Sequence, residues 1–236
     1  MSYQAGKTDE FIDPCLIADS EGNPVGLIKE NDSVIDVGAN IGYWATVMSK
    51  AVGPKGKVIS LEPASVSYRI LEKNLALNSC KNVTAFQLGA SDVNGSAALV
   101  FDENLTHQAH VAKKQTGIES TRTNTIECTT LDELFAAHGF PPPSFLKIDV
   151  EGFEMNVLQG ARNLLVSADV TVLFEYHHKP ADTEKDDIEA FHAFARSIGY
   201  SIFELPSVDD DCNLECRPLL SIADNFSGNL VMKKVV

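Results

Sequence analysis

Residues 1–33 show little periodicity, and "EGNPVG" at 21–26 reads as a turn, so this stretch is expected to be a lead-in segment or small cap. From Val34 the pattern sharpens. "VIDVG" is an apolar burst ending at Gly38, and "YWATVMSKAV" (43–52) places apolar residues at helical spacing. "KVISLEP" predicts a second strand closing at Glu62, and "SVSYRILEKNLALN" (65–78) a helix with Ser65 or Ser67 as N-cap. "NVTAFQLGA" (82–90) predicts a third strand. The rhythm then breaks. "SAALVF" (96–101) and "NTIECTTL" (124–131) read as strands flanking the polar stretch 102–123, a hairpin insertion at the sheet edge with a long loop. "LDELFAAHG" is a helix with a glycine stop, "SFLKIDV" a buried strand, and "MNVLQGARNLL" (155–165) a helix. "VTVLFEY" (170–176), "DDIEAFHAFARSIG" (186–199), "YSIFELP" (200–206) and "NLVMKKV" (229–235) continue as strand, helix, strand and strand.

Short strands alternating with helices of about ten residues predict an α/β fold, a parallel sheet with helices on both faces. The lead-in aside, 34–236 reads as a single domain. At 236 residues the chain has ample length for a full core, and its 44% hydrophobic and 22% charged content is ordinary for a globular protein. A net charge of −14 repels phosphate backbones and anionic lipid, so neither nucleic acid nor a membrane surface is the expected partner. With no apolar run of 18 residues and no basic, then apolar, leader, a cytoplasmic location is expected. The five cysteines (15, 80, 128, 212 and 216) are odd in number and scattered, which fits a reducing compartment. Cys212 and Cys216 lack the two further ligands that a closed zinc site needs.

Candidate chemistry begins in the turn "DVGANIG". Asp36, Gly38, Asn40 and Gly42 occupy the strand-to-helix position where doubly wound sheets bind ligands. Glycines there admit close backbone approach, and the next helix offers free N–H groups. Asn40 stands where the dinucleotide fingerprint has its second glycine, which suits a pyrophosphate badly. Glu62, closing the second strand, is placed to accept bonds from both ribose hydroxyls of a nucleoside. An acidic glycine turn with such a carboxylate suits a cofactor with an adenosine and a positive centre but no phosphates, and S-adenosylmethionine fits. The plainer reading, in which Asp36 and Glu62 only cap neighbouring elements, has even weight for either residue alone and less for the pair.

"VIDVGANIGYWA", "ISLEP", "LEKNLALN", "TTLDEL" and "FLKIDVEGFEMNVLQGA" together resemble the FkbM family of S-adenosylmethionine-dependent methyltransferases, from about Val34 to Tyr176. "KIDVEGFE" followed by "VLQGA" is the most specific part. The resemblance implies a Rossmann-like class I sheet of seven strands with the last antiparallel. It also implies O-methyl transfer to a small-molecule, natural-product or glycan hydroxyl. Carried over, it puts Asp36, Gly38, Asn40 and Gly42 along the methionine moiety, Glu62 on the ribose, and Ser91 and Asp92 near the adenine. Residues 1–33 and 207–228 match no such pattern, and the identity of the acceptor and the oligomeric state are left open.

In-line displacement at a sulfonium requires the protein to position the acceptor and remove its proton. Asp149, Glu151, Glu175 and His177 fall at carboxyl ends of strands, where reacting groups gather. Asp149, also a cofactor contact, is the first choice for the residue nearest the transfer centre, with His177 the natural base. Asp149 and Glu151 would share a face if the strand ran through Val150; the plainer reading makes Glu151 a helix anchor, and Glu154 likewise. Lys147, odd in a buried strand, is expected to pair with a neighbouring carboxylate. His178 should point away, and His107 and His110 read as loop residues. Asp149 and Glu175 are the candidate oxygen ligands for a divalent metal, which the spacing does not demand. Two rival readings are an NAD or nucleotide-sugar oxidoreductase and a catalytically silent binding protein.

Overall fold

The computed structural model describes residues 27–102, 109–111, 121–176, 188–204, 217–218 and 228–235. The first half of the main sheet is laid down as β1 (Ser33–Val37), α1 (Tyr43–Val52), β2 (Lys57–Leu61), α2 (Ser65–Leu77) and β3 (Val83–Phe86). A second sheet follows, formed by β4 (Gly89–Ala90), β5 (Gly95–Asp102), β6 (Ala109–Val111) and β7 (Thr121–Thr129). The chain then returns through α3 (Leu131–His138), β8 (Phe145–Ile148), α4 (Glu154–Gly160), α5 (Arg162–Ser167) and β9 (Thr171–Tyr176). It closes with α6 (Ile188–Ser197), β10 (Tyr200–Glu204), β11 (Arg217–Pro218) and β12 (Gly228–Lys234).

The main sheet has the order β11-β10-β12-β9-β8-β1-β2-β3. Neighbours from β9 to β3 run parallel, and β12 lies antiparallel between β9 and β10. Seven strands with the last one reversed are therefore present as expected, and the two-residue β11 adds an eighth. No described helix is long and apolar enough to cross a membrane.

Strand alternation divides the core. Ile35, Val37, Leu146, Ile148, Val172 and Phe174 face a large cluster that takes in Leu131, Leu158, Leu165 and Phe191 from α3 to α6. Val34, Val58, Phe145, Leu173 and Val231 face the other way, onto Trp44 and Met48 of α1 and onto Leu27 and Ile28. On this second face the apolar rule is broken at one depth. Ser60, Asp36 and Lys147 are in-register neighbours on β2, β1 and β8, and all three are buried.

Several expected elements differ in instructive ways. The strand expected over 82–90 is two strands in two sheets. After Phe86 the chain leaves the main sheet, and Gly89 pairs with Cys128 of β7, where an added Cβ would lie 3.0 Å from the Cys128 sulfur. The expected hairpin exists as the antiparallel pair β5–β7, but it belongs to this separate sheet and not to the edge of the main one. The helix expected over 155–165 breaks at Ala161, because the Asp132 carboxylate accepts from Asn163 N (2.9 Å) and Leu164 N (2.8 Å) and so starts a fresh helix. Neither Ser65 nor Ser67 caps α2; its N-cap is Ala64, whose N–H is already taken by Glu62. By contrast Thr130 does cap α3, its side chain accepting from Glu133 N.

Gly160, the glycine of "VLQGA", ties α4 to the turn after β4. A Cβ there would sit 1.9 Å from the Ser91 carbonyl oxygen. Gly160→Ala must push α4 away from that turn, at a cost of about 1–3 kcal/mol. The expected result is a lower urea midpoint at unchanged m-value, and a wild-type midpoint would show that the contact relaxes freely.

Candidate active site

The turn from β1 into α1 is built on left-handed backbone at Gly38 (φ 79°), Asn40 (φ 48°) and Gly42 (φ 89°). Asparagine is among the few side chains that tolerate this region. Both glycines are also required by packing. A Cβ on Gly38 would come within 1.8 Å of the Asp149 carbonyl oxygen, and one on Gly42 within 2.5 Å of Leu71 Cδ1 on α2. The Gly38 and Ala39 amides donate to the Leu61 carbonyl, stitching the turn to β2. Directly beyond Leu61, Glu62 is buried and accepts from Asn40 N at Oε2 (2.9 Å) and from Ala64 N at Oε1 (2.7 Å). Burial pushes its carboxyl above the usual range, the two amides oppose that, and Asp36 and Asp149 add to the rise. Two of the four lone-pair positions of this carboxylate are thus occupied and two are left.

At the carboxyl edge of the sheet, register brings together residues far apart in sequence. Val37 aligns with Leu61 and with Ile148, so Gly38 falls between Glu62 and Asp149. Ile148, the last residue of β8, aligns with Phe174, the residue before Glu175, and Glu175 aligns with Asn229. Below this layer, Asp36 is fully buried and neither of its oxygens has a hydrogen-bond partner. Burial raises its carboxyl from 3.8 to about 6. The Lys147 ammonium opposes that rise, the Asp149 charge adds to it, and the Ala45 amide, outside hydrogen-bond geometry, opposes it further. The buried Lys147 donates to Asp149 Oδ2 at 3.0 Å and lies 3.9 Å from Asp36 Oδ1.

Glu151 is where strand reasoning fails. β8 ends at Ile148, and Glu151 (φ 55°) and Gly152 (φ 96°) are left-handed, so the chain turns and no strand alternation relates Glu151 to Asp149. Glu154 begins α4, is buried, and accepts from Gly152 N at 2.9 Å, which anchors that turn. Ser91 and Asp92 follow β4. Asp92 Oδ1 accepts from both Asn156 Nδ2 and Ser91 Oγ at 3.0 Å, and the Asn156 bond is the main reason its carboxyl is held below the usual range. His107, His177 and His178 lie outside the described residues, and for His110 only the backbone, in β6, is described. Among the described residues no group of three His, Cys, Asp or Glu side chains gathers as a metal site.

Two features escaped sequence reasoning: the second carboxylate beside Lys147, and the partnerless buried oxygens of Ser60 and Asn229. A signal was present, since "KVIS", "VID" and "FLK" each carry a polar residue at matching depth in an otherwise apolar strand. The arrangement suits a cationic ligand with a diol. Three mutually repelling carboxylates (Asp36, Glu62, Asp149) gain from a positive charge, and Asn40 occupies the place a phosphate cradle would give to glycine.

The profile described as the methyltransferase FkbM domain matches residues 36–202. The chain belongs to the FkbM methyltransferase family. This FkbM chain is 31% identical over 165 residues to methyltransferase sdnD of Sordaria araneosa, covering 58% of this chain and 62% of that one. It is also 31% identical over 149 residues to the hexuronic acid methyltransferase AglP of Haloferax volcanii, covering 63% and 57%. The chain therefore spans less than two thirds of the length of these curated relatives. The crystal structure of the methyltransferase FkbM from Methylobacillus flagellatus superposes with a TM-score of 0.59 at 15% identity, over 93% of this chain and 47% of that one. At that identity the likeness speaks for the fold, which is that of the class I S-adenosylmethionine-dependent methyltransferases.

The raised Asp36 carboxyl yields a signed test. Between pH 3.8 and about 6 the folded chain binds a proton that the unfolded chain has lost, so stability falls as pH rises through this window. The full displacement corresponds to about 3 kcal/mol. Asp36→Asn lacks this loss. Its unfolding free energy should gain on wild type by up to about 3 kcal/mol between pH 4 and pH 7 and then stay level. A constant difference across that range would show that Asp36 does not titrate in it.

Proposed function

We propose that this FkbM domain transfers a methyl group from S-adenosylmethionine to a hydroxyl of a small molecule, natural product or glycan. The observation that carries the reading is Glu62. Two backbone amides fix its carboxylate at the end of β2, one of them from the glycine turn, and two acceptor positions remain for a vicinal diol. Glu62 would hold the ribose, Gly38, Asn40 and Gly42 the methionine portion, with the buried Asp36 adding negative charge from below, and Ser91 and Asp92 the adenine side. When bound, S-adenosylmethionine supplies a methyl group already activated on a sulfonium.

What is left to the chain is orientation and proton removal. Asp149, at the carboxyl end of the central strand pair, is the group proposed to lie nearest the reacting hydroxyl, and Glu175, near the end of the neighbouring β9, is proposed to face the same acceptor. His177, one residue past β9, is the proposed general base, and Glu151 is assigned to the turn that aims Asp149. A divalent cation on Asp149 and Glu175 would suit a diol acceptor. The hexuronic acid named for the Haloferax volcanii relative supports a sugar among the acceptor classes.

Glu62→Ala should weaken binding of S-adenosylhomocysteine at least tenfold by calorimetry, a larger effect than the folding stability lost with its two amide bonds. Wild-type affinity would remove Glu62 from the ribose role, and binding of NAD in place of S-adenosylhomocysteine would favour the oxidoreductase. An acceptor screen with labelled S-adenosylmethionine, run with and without EDTA, tests turnover, acceptor class and metal need together. Cofactor binding without turnover on any hydroxylated acceptor would point to a silent binding protein.

A further inference from the structure

One buried cation serves two carboxylates at the carboxyl ends of β1 and β8. Lys147 and Asp36 are cross-strand neighbours on β8 and β1, so their side chains rise on the same face. Asp149, two residues on, continues that face at the strand end. The Lys147 ammonium is almost inaccessible, is bonded to Asp149 Oδ2 at 3.0 Å, lies 3.9 Å from Asp36 Oδ1, and is 6.0 Å from the centre of the Trp44 ring on α1. The Asp149 side chain, by contrast, is 36% exposed. A surface ion pair of this kind would wander among rotamers, but an ammonium boxed by a ring and a second carboxylate does not.

We propose that Lys147 is a positioning residue: its ammonium, braced against Asp36 and Trp44, holds the Asp149 carboxylate by Oδ2 and leaves its other oxygen for the reacting hydroxyl. The inference rests on the reading of Asp149 as the group nearest the methyl-transfer centre. It assigns the buried polar row of the sheet a task. Asp36 and Lys147 sit one layer below the chemistry and set the direction of the carboxylate above them. A small misplacement of such a group lowers the rate without loosening a cofactor held chiefly by Glu62 and the glycine turn.

Lys147→Met, Asp149→Asn and the double variant test this. Lys147→Met should lower kcat for labelled methyl transfer to the acceptor found in the screen by about 10–100-fold. Its calorimetric affinity for S-adenosylhomocysteine should stay within about threefold of wild type. Because Lys147 acts through Asp149, the double variant should be no slower than Asp149→Asn alone. In the crystal structure of Lys147→Met the Asp149 carboxylate should leave its wild-type orientation. Losses that multiply in the double variant, or an unmoved Asp149 carboxylate, would each overturn the proposal. Should Lys147→Met fail to fold, Asp36→Asn/Lys147→Met removes one charge of each sign and is compared with Asp36→Asn alone by the same criteria. If wild type methylates no acceptor, the functional proposal fails by itself, while the crystal structure still decides whether Lys147 positions Asp149.

Discussion

The contact on which this molecule turns is the meeting of β1 and β8 at their carboxyl ends. Gly38 lies so close to the Asp149 carbonyl that no side chain fits between them, and directly beneath, Lys147 stands between Asp36 and Asp149. Pull the strands apart there and the ammonium loses its partners, leaving charges buried without compensation, which is among the costlier defects a core can carry. Held together, the two strand ends set the backbone of the glycine turn between the carboxylates of Glu62 and Asp149.

That constraint explains why the neighbouring turns look as they do. The turn after β1 is left-handed at three positions, passes Asp149 and α2 closely at Gly38 and Gly42, and aims the Asn40 amide at Glu62. The turn after β8 must also reverse sharply, through Glu151 and Gly152, and is pinned by Glu154 from inside α4. Gly160, at the far end of α4, brings the Ser91–Asp92 turn up to the same rim. Much of the stretch "KIDVEGFE…VLQGA" thus serves close backbone approach, through Gly152, Glu154 and Gly160.

The electrostatics follow from the same packing. Asp149 adds to the cost of ionising Asp36, Asp36 and Asp149 add to that of Glu62, and a single buried lysine cannot neutralise all three. Such a site is poised for a positive ligand and unfavourable to phosphates, which agrees with a class I methyltransferase fold. The stability given up to keep Asp36 ionised in the core is of the kind that functional sites tolerate when a ligand offsets it.

Local pattern alone determined much here. Apolar bursts with period two and helices with period 3.6 placed α1, α3 and β9 almost to the residue, and the "DVGANIG" turn and Glu62 stood out because glycine and acid at strand ends have few other uses. The pairing of Lys147 with a carboxylate was legible for the same reason, since an unpaired buried ammonium is prohibitively costly. What tertiary structure decided were the matters set by contacts across the fold. Asp132 splits one expected helix into two, Gly89 carries β4 into a second sheet against Cys128, and left-handed backbone at Glu151 separates it from Asp149. It also chose Asp36 as the second partner of Lys147, because strand register, which no single segment encodes, sets which side chains share a depth in the core.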